Sequence, residues 1–167
     1  VEVIGKVKGN PTKSLLKQSE CAYWQLEVQE YQSGGKGGGR WKTVRKESSG
    51  PFEVDDMTGR INIQAGDTDL VMNNESAIDV DQQTKASLQN LGVKTQGFLG
   101  FNKKLRVYER LIAPEEEILV LGKIQKSADS ISISGNSIAP LVISNLSKGE
   151  MLKSLSWRGL RPLIFTY

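Results

Sequence analysis

Apolar and polar residues alternate with period two along most of this chain, the signature of half-buried β-strands. The pattern is sharpest over residues 106–122, where Val107, Glu109 and Leu111 alternate with Arg106, Tyr108, Arg110 and Ile112. Pro114 follows. It cannot donate to a ladder and presets φ, so the spacing predicts two strands joined by a tight acidic turn at residues 113–116. The second strand, residues 118–121, is apolar at every position and needs cover on both faces. Glu109 falls on the side of Val107 and Leu111, where a carboxylate has to be hydrogen-bonded or paired. That favours a structural role over a functional one.

The remaining pattern supplies further strands. Residues 1–8 carry Val1, Val3, Ile4 and Val7 around Gly5, and Gly9-Asn10-Pro11 marks a turn. Residues 21–31 place Ala22, Trp24, Leu26 and Val28 on one face. Cys21, Tyr23, Gln25, Glu27, Gln29 and Tyr31 take the other, a polar face with amphipathic ends. The glycine-rich stretch 32–39 reads as a hairpin loop, with residues 40–47 returning as the partner strand. Residues 51–55 and 60–64 form a pair around the turn Asp56-Met57-Thr58-Gly59, with Ile61 and Ile63 inward. Asp81 can cap, and Ala86, Leu88 and Leu91 with good helix formers between them predict a modest helix over 81–91 that ends near Gly92. Residues 123–126 extend the strand before them, and 131–134 and 141–143 add two more. Ser147 and Glu150 are spaced as a capping box, opening a short helix with Met151, Leu152 and Leu155 on one side. The sum is a mainly β fold: a barrel-like, OB-like antiparallel sheet of about eight or more strands with two short helices.

Composition narrows the chemistry. The chain has 167 residues, the length of one domain, and 22 Lys+Arg against 19 Asp+Glu, a net charge of +3. That charge is far from the density of a dedicated duplex binder. With one cysteine, Cys21, and no histidine, Cys/His zinc sites and Ser-His-Asp or Cys-His catalysis are excluded. The chain starts at Val1 without a signal-like stretch and stops within the apolar run 160–167. It reads as a soluble piece cut from a longer protein.

The motif order Cys21-Ala22-Tyr23-Trp24, Trp41, then residues 52–60 (F-E-V-D-D-M-T-G-R) resembles the front half of a GIDE domain. Residues 106–112 (R-V-Y-E-R-L-I), 118–122 (I-L-V-L-G) and 140–147 (P-L-V-I-S-N-L-S) continue the likeness, and Leu91-Gly92-Val93-Lys94 is similar to plastid members. GIDE domains, also called BAM for "beside a membrane", are β-rich domains of membrane-anchored RING ubiquitin ligases of organelle outer membranes. The resemblance implies a domain over residues 1–156 and, over 157–167, a juxtamembrane segment and the start of a membrane helix. It also implies a family motif at Cys21, Tyr23, Asp56, Gly59, Glu109, Gly122 and Ser144. The ligase chemistry of the family resides in a RING, which this chain lacks, so the resemblance implies a non-catalytic module that meets a protein or peptide partner at a membrane. Flanking membrane helices are expected in the intact protein. Lys153, Arg158 and Arg161 suggest a cytoplasmic side by the positive-inside tendency, against the intermembrane-space placement of organellar relatives. The side is left open. The family has a Gly in the turn after its Pro, where this chain has Glu115-Glu116-Glu117. That acidic turn makes Glu115 and Glu116 contact candidates.

Several residue clusters carry rival readings. Glycines 34–39 with Lys36, Trp41 and Lys42 could cradle a phosphate, yet the P-loop register is absent and no helix follows. An ordinary hairpin connection is the stronger reading. Cys21 has no His or CxxC partner to activate it. Glu53, Asp55 and Asp56 could ligate a divalent cation or act as paired carboxylates, but Thr58-Gly59-Arg60 completes a plain turn. Trp24 lies on an apolar face and reads as core. Trp41 has Arg40, Lys42, Arg45 and Lys46 around it, so Arg40, Trp41 and Lys42 form the expected partner-facing patch. A non-catalytic binding module leads. A nucleic-acid-binding β-barrel is the alternative, weakened by the low net charge, and a hydrolase working on Glu109 with Asp55 or Asp56 is the third reading. No cofactor or metal is expected.

Overall fold

A computed structural model describes residues 1–157 except 67, 74 and 137, with the side chains of 155–157 left undescribed. The expected juxtamembrane and membrane-helix segment lies almost wholly outside the described residues. Among those described, no helix is long and apolar enough to cross a membrane.

Among the described residues, thirteen strands and two helices follow in chain order: β1 (Glu2–Lys8), β2 (Thr12–Lys13), β3 (Glu20–Cys21), β4 (Tyr23–Gln32), β5 (Arg40–Ser48), β6 (Phe52–Asp55), β7 (Arg60–Ile63), β8 (Thr68–Val71), α1 (Gln82–Asn90), β9 (Leu105–Ile112), β10 (Glu117–Leu121), β11 (Lys123–Lys126), β12 (Ile131–Ser134), β13 (Leu141–Ser144) and α2 (Lys148–Trp157). The fold is mainly β, as the alternation predicts. One sheet holds eight strands in the order β11-β12-β7-β6-β1-β10-β13-β8, a second holds β5-β4-β9, and β2 pairs with β3. The large sheet is mixed rather than wholly antiparallel, because β12 runs parallel to β7 and β13 parallel to β8. Its order has two ends, β11 and β8, and no closing pair is present among the described residues.

The turn at 113–116 does more than reverse the chain. The strands on either side of it do not pair with each other: β9 joins β4, whereas β10 sits between β1 and β13. Pro114 therefore marks a crossing between sheets. As the apolar run predicts, β10 is covered on both faces. Ile118 and Val120 enter the main core with Val7, Phe52, Ile63 and Ile143, while Leu119 and Leu121 meet Met151 of α2.

Two adjustments follow from packing. Residues 123–126 do not extend β10; β11 folds onto β12. Gly122 permits this, since a Cβ there would lie 2.5 Å from Ile133 Cγ2 and 2.8 Å from Leu141 Cδ1. The supposed polar face of β4 is buried at its start: Tyr23 donates its hydroxyl to Ala65 O at 3.2 Å, and Gln25 Nε2 donates to Thr68 O at 3.0 Å. Ala65 and Thr68 meet that face, and Thr68–Val71, to which the sequence pattern assigns no element, forms β8. Helix α1 is capped by Asp81, which accepts from Thr84 N at 2.7 Å. It buries Leu88 against β4 and β9, while Ala86 faces solvent. The capping box forms as expected, with Ser147 N donating to Glu150 Oε2 at 3.1 Å. Beyond it Met151 is buried but Leu152 is exposed.

Candidate functional site

The three-stranded sheet has two unlike faces, and period-two alternation sorts them. Leu26, Val28 and Val107 pack on Leu88 and Val93. The opposite face carries Gln25, Glu27, Gln29 and Tyr31 from β4, which pair in register with Arg110, Tyr108 and Arg106 of β9 and with Trp41 and Thr43 of β5. Ala65 and Thr68 cover this face at Tyr23 and Gln25, leaving it open toward Tyr31. The open part is a run of alternating rings and cations.

The rings of Tyr31 and Trp41 meet edge to face with centroids 5.4 Å apart. Arg106 lies 4.3 Å from the centre of the Trp41 ring and 5.5 Å from that of Tyr108, and Lys104 lies 4.9 Å over Tyr31. Gln29 Oε1 accepts from Arg106 Nη2 at 2.8 Å, which fixes the guanidinium beside both rings. Arg110 continues the row 5.1 Å from the centre of Tyr108, and Glu27 and Glu75 clamp it at 2.8 and 2.7 Å. Burial works to lower the Arg110 pKa, and these two carboxylates outweigh it and raise it. For Glu27, burial pushes upward, but hydrogen bonds from Thr43, Gln29 and Arg110 hold it below its ordinary value. Both groups stay charged. Tyr108, Arg110 and Glu75 also line a cavity of about 220 Å³ beside the open face.

The expected patch splits across the sheet. Trp41 belongs to this face and is half-buried, whereas Arg40 and Lys42 alternate to the other side. In the acidic turn, Glu115 forms an ion pair with Lys8 at 2.5 Å and adopts φ +64°, a left-handed conformation that favours glycine. Glu116 is engaged internally: its oxygens accept from Ala113 N at 2.7 Å and Asn145 Nδ2 at 3.0 Å.

The residues expected to form a family motif make specific structural contacts. Glu109 accepts from the amides of Leu16 and Lys17 at 2.6 and 2.8 Å and from Ser14 Oγ at 3.3 Å, tying segment 14–17 to β9. Cys21 is buried and lies 3.6 Å from Thr12 O. Burial, then the nearby Glu109 charge, raise its pKa, the reverse of what a nucleophile needs. Asp56 Oδ1 accepts from the amides of Thr58 and Gly59 at 2.9 and 3.1 Å, and Asp55 Oδ1 from Met57 N at 3.0 Å. Arg60 sits 3.7 Å from both Glu53 and Asp55. The Ser144 hydroxyl donates to Val71 O at 2.6 Å, joining β13 to β8. In the glycine-rich loop, Gly34 N donates to Gly38 O at 3.0 Å and closes the hairpin on itself.

Sequence reading missed Tyr31, Arg106, Tyr108 and Arg110 as one group. The signal was available in part: Arg106, Tyr108 and Arg110 fall on one side of their strand by alternation. Their meeting with Tyr31 and Trp41 needed the β4–β9 register.

A model of the GIDE family, described as E3 ubiquitin ligase, matches residues 26–159. No curated protein and no solved structure matches the chain at a significant level. The match covers most of the chain, from within β4 through α2, and by it this chain belongs to the GIDE family.

Proposed function

We propose that this chain is a non-catalytic module that binds a protein or peptide beside a membrane, within a larger membrane-anchored protein related to RING ubiquitin ligases. Family membership supports the setting. The single observation that carries the binding role is the open face where Trp41, Tyr31, Arg106 and Tyr108 alternate. Aromatic rings and arginine concentrate binding energy at protein contacts, and rings already propped by cations lose little freedom on binding. The face offers cations and π surfaces, so the segment it suits carries acidic and apolar side chains. Ubiquitin transfer belongs to other parts of such a protein, because this chain has no His and one Cys.

The test is a pull-down from membrane extract with three forms of the purified chain. Trp41→Ala combined with Tyr108→Ala should lose the captured protein at a stability cost of about 1–2 kcal/mol. Arg40→Ala combined with Lys42→Ala should keep it, since those side chains leave from the other face. Equal capture by the first double variant would overturn the assignment of this face.

Trp41 and Tyr31 beside Lys104 and Arg106 also favour a second reading, single-stranded nucleic acid stacked on the rings. Oligonucleotide binding that collapses with salt would move it to first place. The clamping of Arg110 by Glu27 and Glu75 weighs against it. The carboxylate hydrolase has less support: Glu109 lines one cavity, and Asp55 and Asp56 line another.

A further inference from the structure

We propose that the turn of residues 97–101 inserts into an anionic lipid bilayer, so that the chain itself touches lipid as well as a partner. Phe98, Leu99 and Phe101 are 103%, 75% and 75% exposed. Large apolar side chains so fully in water call for an occupant. The turn holds them outward through its own backbone: Gly97 N donates to Phe101 O at 2.9 Å, Gly100 N to Gly97 O at 3.1 Å, and Gly100 takes φ +76°.

Charge identifies the occupant. Residues 82–108, which contain the turn, hold five basic residues and no acidic one, and residues 31–46 hold another five and none. Two short runs thus carry ten of the 22 basic residues, leaving twelve against 19 acidic residues in the rest of the chain. The fold brings the runs together at one end of the three-stranded sheet. Tyr31 N donates to Lys104 O at 3.0 Å, Glu30 faces Leu105 in the ladder, and Lys104 lies over Tyr31 and Trp41. Glu30 and Glu47 reach into this region and are held by Lys103 and Arg45. A small net charge therefore hides a strongly cationic end with an apolar tip.

An anionic bilayer fits both features, with aromatic and aliphatic side chains at the headgroup boundary and cations against the headgroups. A protein partner fits the tip less well. A stable protein contact buries about 800 Å² on each side, whereas this tip is three side chains on a five-residue turn. The inference rests on the proposal of a module beside a membrane and deepens it; Lys104 and Arg106 serve both the ring-and-cation face and the cationic end, whereas Phe98, Leu99 and Phe101 belong to the tip alone.

Vesicle flotation tests it. The native chain should float with phosphatidylcholine vesicles that contain phosphatidylglycerol, float poorly with phosphatidylcholine alone, and release as salt rises. The triple variant Phe98→Ser, Leu99→Ser, Phe101→Ser should bind anionic vesicles about tenfold more weakly or worse, with an unchanged melting temperature because the tip supports no core. Phe98→Trp should shift its emission to the blue on adding anionic vesicles. The proposal is overturned if the native chain stays in solution, if the triple variant floats as well as native, or if the Phe98→Trp emission does not move. Loss of a captured protein by the triple variant in lipid-free buffer would also overturn it, naming a protein as the occupant. The pull-down on Trp41 and Tyr108 is run without vesicles, so failure of the partner face and failure of the lipid tip read separately.

Discussion

Glu109 shows how one side chain can hold a segment that lacks regular structure. The residue is 6% exposed, and its carboxylate accepts from the amides of Leu16 and Lys17 and from Ser14 Oγ. Removing it leaves two amides without their charged acceptor, a loss of about 3 kcal/mol. Glu109→Ala should therefore lower stability to denaturant by about that amount; an unchanged midpoint would show that water replaces the carboxylate freely. Sequence alternation alone revealed that this carboxylate had to be satisfied. It could not name the donors, which come from residues more than ninety positions earlier. Glu27 has a pH-dependent role. Its pKa in the fold is below the ordinary 4.5, so the stability it contributes is present above that value and lost as pH falls through the folded value. Asp56, Asp81 and Glu150 are shifted in the same direction by their turn and cap hydrogen bonds. Stability should be level near neutrality and decline below about pH 4.5. In Glu27→Gln the decline should be shallower, starting from a lower plateau. A denaturation series giving parallel curves for the two forms would remove Glu27 from the acid response.

Strands were legible wherever one face meets water and the other the core, as in β6, β7 and β9. They were illegible where neighbours set the environment. Thr68–Val71 has no distinctive alternation, and it becomes β8 because Leu141–Ser144 offers it a parallel edge. Gln25 falls on the face that alternation marks as polar, and the fold buries it where its amide meets Thr68 O. Gly122 illustrates the same limit from the other side. The sequence marks a glycine between two strands, but only the fold shows why it must be one: Ile133, Leu141 and Ser134 O crowd the missing Cβ. Gly122→Ala should cost about 1–3 kcal/mol by overpacking and loosen β11 and β12 more than β9. A melting temperature equal to native would mean the strand junction can shift to make room.

The sheets share one core through two strands, since Ala22, Tyr23 and Ile112 at the inner ends of β4 and β9 join the cluster that contains Val7, Val54 and Ile143. The outer ends of those strands are free of that core and build the ring-and-cation face and the cationic tip. Which elements share a sheet was largely hidden from the sequence, because two strands separated by a four-residue turn normally pair and here they part. This division predicts a gradient of local stability. β10 lies between β1 and β13 with both faces buried. β5 is bonded along one edge and leaves Val44 41% exposed. Native-state hydrogen exchange should find the amides of Leu119 and Val120 among the slowest, exchanging only with global unfolding, and those of β5 opening by a cheaper local route. Binding of a partner across Trp41 and Tyr31 should slow β5 selectively, because ordering that edge adds to local stability without touching the main core. If β5 exchanged as slowly as β10 in the free chain, the hairpin would be part of the global unit, and the face it carries would be rigid before any partner arrives.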